Sequence, residues 1–356
     1  MGRRLASLAA TNGRALALAL ILGGGGGFLF SRLNLPLAWM LGAMTATTLA
    51  AVGRLPVTVP PRLRMVMIAV LGVMLGSAFR PAMFARVGEW STSLSALAFY
   101  IAAVAVIIGF YFRKAAGYDR PTAFFSAIPG GLSEMILVGG GAGGDDRTIA
   151  LTHAARILLV VLIIPFWFRF TADYQPGGSR GLGPSLAEIG WFDLAVLTLS
   201  GIGGYLGARA CKLPSAALIG PMAFSALAHL SGLTASRPPF ELILIAQLVI
   251  GASIGCRFAG VALAPLARAV AAATGSTVLM LGLCVAVAAA IGAVTGLPGT
   301  ALVLALAPGG LAEMSLIALA LGIDPAFVST HHIARIFIIV TLAPLAYRLL
   351  TRDRRD

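Results

Sequence analysis

The octapeptide Ile128-Pro129-Gly130-Gly131-Leu132-Ser133-Glu134-Met135 returns 179 residues later as Ala307-Pro308-Gly309-Gly310-Leu311-Ala312-Glu313-Met314. The same offset of 179 carries Asp145 to Asp324, His153 to His332, Arg156 to Arg335 and Pro165 to Pro344 without a gap. It also places Gly72 and Gly76 on Gly251 and Gly255, while an offset of 178 takes Pro36, Gly42 and Met44 to Pro214, Gly220 and Met222. The chain is therefore an internal duplication, with one repeat over 1–175, a polar linker at 176–190 and a second repeat over 191–356. A fold for this chain has to hold two related copies of one unit.

Each copy is made of apolar segments, at about 14–30, 35–52, 62–79, 91–112, 121–141 and 148–170, then 191–209, 214–233, 239–256, 269–295, 299–322 and 326–350. Hydrophobic residues make up 59% of the chain and charged residues only 11%, against roughly 25% charged in soluble domains. That is too little polar surface for a soluble enzyme of this size. At roughly 20 residues per span the segments supply ten to twelve transmembrane helices, so the expected fold is all-α and polytopic, with five to six helices per repeat. Met1 to Phe30 reads as an uncleaved first helix, because a second apolar segment starts at Leu35 with no cleavage site between. Cys211, Cys256 and Cys284 are three in number and lie in or beside apolar runs, so no disulfide framework is implied.

The net charge is +13, from 26 Lys and Arg against 13 Asp and Glu. No basic stripe, zinc-ligand spacing or RNA-binding aromatic motif accompanies it, so nucleic acid is not an expected partner. The excess instead fits the cytoplasmic bias of Lys and Arg in membrane proteins. Twelve plain spans with the N-terminus inside put 16 basic residues in inner loops and eight in outer ones. If both Pro-Gly-Gly segments fail to cross, the split becomes 18 inside and 6 outside. Five crossings per copy would also invert the second repeat. The inverted arrangement, with both termini cytoplasmic, is the expected one.

The Pro-Gly-Gly segments carry the chemistry. Pro129 and Pro308 each remove a backbone donor, and Gly130, Gly131, Gly309 and Gly310 impose no side-chain restraint, so an apolar helix should break there. Broken backbone at membrane depth survives only where protein or a water-filled cavity satisfies it. The half-helix that follows presents free N–H groups suited to an anion. Glu134 and Glu313 sit just inside it, and a carboxylate at that depth reads as functional by default. The plain alternative is that each Glu caps its own half-helix or pairs with an Arg. His153 and Arg156, repeated as His332 and Arg335, are three residues apart and share a helix face. The arginines call for a glutamate partner or an anionic substrate. The histidines suit proton handling, or else are core residues bonded to a carbonyl. A di-metal or zinc site on the two Glu and two His lacks the usual ligand spacing, so no metal or other cofactor is expected. The glycine pairs Gly72/Gly76 and Gly251/Gly255 read as GxxxG packing motifs.

The paired P-G-G-L-x-E-M segments, each trailed by H-x-x-R, resemble the AbrB family of bacterial membrane proteins, over essentially the whole chain. Members have carried labels as ammonia monooxygenases or as regulators, under a name shared with an unrelated DNA-binding regulator. The resemblance implies an inner-membrane protein that works as a transporter rather than as an enzyme. The expected function is a proton-coupled secondary transporter of a small solute, anionic by the charge of its arginines. Its expected partners are the lipid bilayer and that solute, and a homodimer is compatible with the chain. A membrane-embedded regulator of gene expression is the alternative, with a metal-dependent oxygenase component behind it.

Overall fold

A computed structural model describes residues 2–81, 83, 87–171 and 183–352. Its first repeat contains α1 (Gly2–Arg32), α2 (Ala38–Val52), α3 (Pro61–Gly76), α4 (Val87–Lys114), α5 (Arg120–Ala127), α6 (Leu132–Gly141) and α7 (Asp146–Thr171). The second contains α8 (Trp191–Ala210), α9 (Ala216–Leu230), α10 (Phe240–Gly255), α11 (Leu263–Thr295), α12 (Gly299–Leu306), α13 (Leu311–Ala320) and α14 (Pro325–Arg352). No strand occurs among the described residues. Six of the helices are long and apolar enough to cross a membrane on length and composition alone. The all-α polytopic expectation holds, and in each copy the fifth segment is broken, into α5 and α6 or α12 and α13. Of the expected linker, 176–182 lies outside the described residues. The remainder is anchored, because Ser185 Oγ and the Leu186 N–H both donate to Glu241, at 2.9 and 3.1 Å.

The compact units are not the sequence repeats. One comprises Met1–Phe79 with Leu162–Leu266, the other Arg80–Val161 with Ala267–Asp356. Each thus combines matching helices from both copies.

In the first unit, helix directions follow from close approaches at glycine. Gly27 of α1 lies against Trp39 of α2, Gly26 against Gly42 and Gly23 against Ala43, so α1 and α2 are antiparallel. Thr58, just past α2, donates its N–H to the Ala15 carbonyl at 3.4 Å. Hence α3 begins where α2 finished, and it turns back along α10. The second copy repeats the pattern. Beyond the end of α9, Thr234 and Ser236 donate to Asp193 in the first turn of α8, at 2.6 and 2.9 Å. Between copies, Gly251 and Gly255 of α10 lie on the backbone at Met40 and Met44 of α2, while Gly72 and Gly76 of α3 lie on Leu218 and Met222 of α9. A side chain at any of these glycines would collide with main chain, which is the small-residue packing expected of the GxxxG pairs. The register also makes α10 parallel to α2 and α3 parallel to α9. Since α3 is antiparallel to α2, the equivalent helices α2 and α9 run in opposite directions. The repeats are inverted.

The second unit shows the same inversion through its broken helices. The Asp145 N–H donates to Thr122 Oγ1 at 2.8 Å, so the end of α6 returns to the start of α5. Gly139 of α6 lies against Phe125 of α5, as in an antiparallel pair. The α5–α6 segment is therefore a re-entrant hairpin. In the second copy Arg335 holds Gly309 at the tip, about 15 Å along α14 at 1.5 Å per residue. The ten residues of α13 span that distance and bring the chain back to the start of α14. Besides its hairpin each copy keeps five other apolar α-helices, the odd number that inversion requires if all of them cross.

Candidate functional site

The two hairpins approach the same stretch of α14 from opposite ends. His332 bonds to Leu304 and Arg335 to Ala307, so α12 runs alongside α14 in the same direction. The rings of Phe124 and Phe125 lie 5.3 and 5.1 Å from that of Tyr347, and Gly130 lies against Ile339, so α5 runs against α14. Ile339 is one turn beyond Arg335. The two Pro-Gly-Gly tips thus come together at the middle of α14.

The repeated spacing within the motif has a local cause in each tip. Gly130 and Gly309 lie under the side chains of Met135 and Met314, and Gly131 and Gly310 lie under the carboxylates of Glu134 and Glu313. A Cβ at any of the four would meet those atoms. Gly131 and Gly310 are the N-cap residues of α6 and α13, and each glutamate is the third residue of its helix. The third-position carboxylate lies over the cap glycine, where its charge complements the helix N-terminus. Glu134 is half-buried and Glu313 is buried. Pro129 and Pro308 are buried at the breaks themselves.

The arginines serve the opposite helix ends. Ile128 and Ala307 are the C-cap residues of α5 and α12. Arg335 Nη1 donates to Ala307 O at 2.5 Å and Nη2 to Gly309 O at 2.6 Å. Arg156 Nη1 donates to Ile128 O at 3.4 Å. Each guanidinium satisfies carbonyls left free at a helix C-terminus, where a cation is favoured. Both arginines are only 3% exposed. Among the described residues neither guanidinium takes a carboxylate partner, so the glutamate pairing expected as one option is replaced by backbone carbonyls.

His332 Nε2–H donates to Leu304 O at 2.9 Å, while Nδ1 accepts from Arg335 Nη2 at 2.9 Å. Those partners assign a neutral imidazole, and a proton on Nδ1 would face a guanidinium. His153 Nε2–H likewise donates to Phe125 O at 2.8 Å. Both histidines thereby fasten a hairpin to its following helix. The four contacts repeat with one separation, 28 residues, for His153–Phe125, Arg156–Ile128, His332–Leu304 and Arg335–Ala307.

Several groups at the tips were not legible from sequence. Ser126 Oγ in α5, Ser315 Oγ in α13, and Nε of both Arg156 and Arg335 are buried with no hydrogen-bond partner in the protein. Tyr100 of α4, buried, donates to Met280 O at 3.3 Å. No motif marks these residues; only packing around the tips brings them in. Among the described residues, no three His, Cys, Asp or Glu side chains gather as a metal-binding group.

A protein of Bacillus subtilis (strain 168), described as uncharacterized protein YhjN, is 25% identical over 348 residues, covering 91% of this chain and 90% of that one. A family model described as transition state regulatory protein AbrB matches residues 39–351. That stretch contains both hairpins and both buried arginines, and the chain belongs to the AbrB family.

Proposed function

We propose that this protein is a secondary transporter of a small anionic solute, coupled to protons through Glu134 and Glu313. The observation that carries the reading is the meeting of two re-entrant hairpin tips, entered from opposite ends, beside Arg335 and Ile339. Discontinuous helices from inverted repeats, meeting with helix termini and buried charge, are the arrangement used for solute sites in secondary transporters. Their half-helix N-termini point at anionic groups, and here both N-termini carry their own carboxylate.

The coupling follows from that occupancy. With Glu134 and Glu313 ionised, two carboxylates offset two guanidiniums and the tips hold no net charge. Protonating the glutamates removes their attraction for the cap and leaves two guanidiniums with two uncovered helix N-termini. An anion then replaces the carboxylate, so proton and anion move together. The buried Ser126 and Ser315 hydroxyls and the arginine Nε groups supply further donors. The setting is an inner membrane with both termini cytoplasmic, as the 18 to 6 split of basic residues favours. A regulator, the reading carried by the family's description, gives these donors no ligand to hold.

Reconstituted protein tests this with a panel of radiolabelled mono- and dicarboxylates and amino acids. An inward proton gradient should drive uptake of an anionic member, and Glu134→Gln or Glu313→Gln should abolish the response to pH while the protein still folds. Unchanged pH dependence in both variants refutes the role of the carboxylates. Uptake confined to neutral solutes refutes the anion.

A further inference from the structure

Away from the hairpin tips, the second unit carries a groove of about 310 Å³ between α4, α5 and α14. Its mouth holds Arg113, in the last turn of α4, and Arg120, the first residue of α5. Its lining is otherwise apolar, with Ala105, Val106 and Gly109 of α4 beside Phe124 and Tyr347, and with Leu350 in the last turn of α14 at the basic end. The basic residues are at helix ends while Val106 and Gly109 lie one to two turns deeper. The groove is thus amphipathic along its length, charged at the level of a membrane surface and apolar below it.

We propose that this groove is a binding site for an anionic phospholipid, with the phosphate between Arg113 and Arg120 and an acyl chain lying over Gly109. The charge is complementary and available. Arg113 donates through Nη1 to Tyr118 O at 2.8 Å, which leaves most of its five donors for a ligand. Asp119, the nearby acid, accepts from the Thr122 N–H at 2.7 Å as the cap of α5. Basic pockets between transmembrane helices on the cytoplasmic side are suited to anionic headgroups. The groove is open at Gly109, where a Cβ would meet nothing within 4 Å, which leaves room for a chain.

The second repeat lacks the basic pair. Gly299 opens α12 where Arg120 opens α5, and α11 has no basic residue after Arg268. Inversion puts that counterpart on the opposite membrane face, so the basic groove exists on one face only. This one-sidedness matches a ligand drawn from one leaflet and is not required by the fold, which both copies share.

Thermal unfolding of the purified full chain in detergent tests the site. Phosphatidylglycerol should raise the midpoint by roughly 3 °C or more, while phosphatidylcholine and inorganic phosphate should not. Replacing both Arg113 and Arg120 with Gln should remove the shift. Gly109→Leu, which fills open space without touching the basic residues, should remove it too. Neutralising Arg54 and Arg62, which lie outside the groove, should leave it intact. A shift of equal size with phosphatidylcholine or with phosphate alone overturns the proposal. So does a full response in either groove variant, or its loss in the Arg54/Arg62 variant.

Discussion

The Arg335 guanidinium donates to the Gly309 carbonyl at 2.6 Å, and the same side chain holds Ala307 at 2.5 Å and His332 at 2.9 Å. Its counterpart Arg156 makes one long contact, 3.4 Å, to Ile128. The inverted copies therefore hold their hairpins with unequal strength. Truncating Arg335 leaves two buried carbonyls without a donor, at about 1–3 kcal/mol each, whereas truncating Arg156 frees one weakly bonded group. Relief from burying an unpaired cation applies equally to both. Arg335→Met should lower the unfolding midpoint clearly more than Arg156→Met. Equal losses, or the reverse order, would show that the asymmetry has no energetic weight.

The partner of those arginines is where sequence reasoning stops. The duplicated motif, the break at Pro129 and Pro308, and the shared face of His153 and Arg156 are all local patterns, and each is found where the sequence places it. A carbonyl has no sequence signature, since every residue carries one. That Arg156 meets Ile128 and Arg335 meets Ala307 depends on the first half-helix lying parallel to the following helix, 28 residues on. The position of Glu134 and Glu313 over their own cap glycines was legible as an alternative, because a third-position Glu is a known cap partner. The partition of the chain into units drawn from both copies was not. It depends on which helices of an inverted pair face each other, and their apolar surfaces are alike in composition. Arg113 and Arg120, too, enter a sequence reading only as two charges among the inner eighteen.

The cap glycines make a separate test of the coupling residues. At Gly310 a methyl group would occupy the space now held by the Glu313 carboxylate, so Gly310→Ala expels the side chain without removing its charge. Alanine is also a poorer N-cap than glycine, so some loss of stability should accompany the displacement. Gly310→Ala should therefore reproduce the lost pH response of Glu313→Gln in reconstituted uptake. A variant that keeps wild-type pH dependence would mean that the carboxylate acts from a position other than the cap.

Packing at Gly251 of α10, in the first unit, and at Gly282 of α11, in the second, predicts a contrast between two glycines in apolar helices. A Cβ at Gly251 would collide with the backbone of Met40, where nothing can move cheaply, while one at Gly282 would meet nothing within 4 Å. Gly251→Ala should destabilise by about 1–3 kcal/mol through overpacking. Gly282→Ala should be neutral or gain up to about 1 kcal/mol from helix propensity. Midpoints measured in one detergent would decide it, and a Gly251→Ala protein as stable as Gly282→Ala would sink the close-packing account.

Inversion fixes which connections share a membrane face, and labelling of intact cells reads this directly. With both termini cytoplasmic, successive crossings by α1 to α4 bring the chain back inside before the first hairpin, which returns to that face. α7 then carries it out, so the connection before α8 is periplasmic and the turn after α8, with Arg209 and Lys212, is cytoplasmic. Parallel repeats of six crossings each would reverse both assignments. After replacement of Cys211, Cys256 and Cys284, a single cysteine at the exposed Ala187 should react with an impermeant maleimide from outside. One at Leu213, in the turn after α8, should react only once the membrane is opened. Ser179, outside the described residues, should behave as Ala187 does. With the N-terminus verified as cytoplasmic, protection of Ala187→Cys alongside free reaction of Leu213→Cys would place the two copies in the same orientation. That pattern would contradict the helix directions read from Gly251, Gly72 and Thr58.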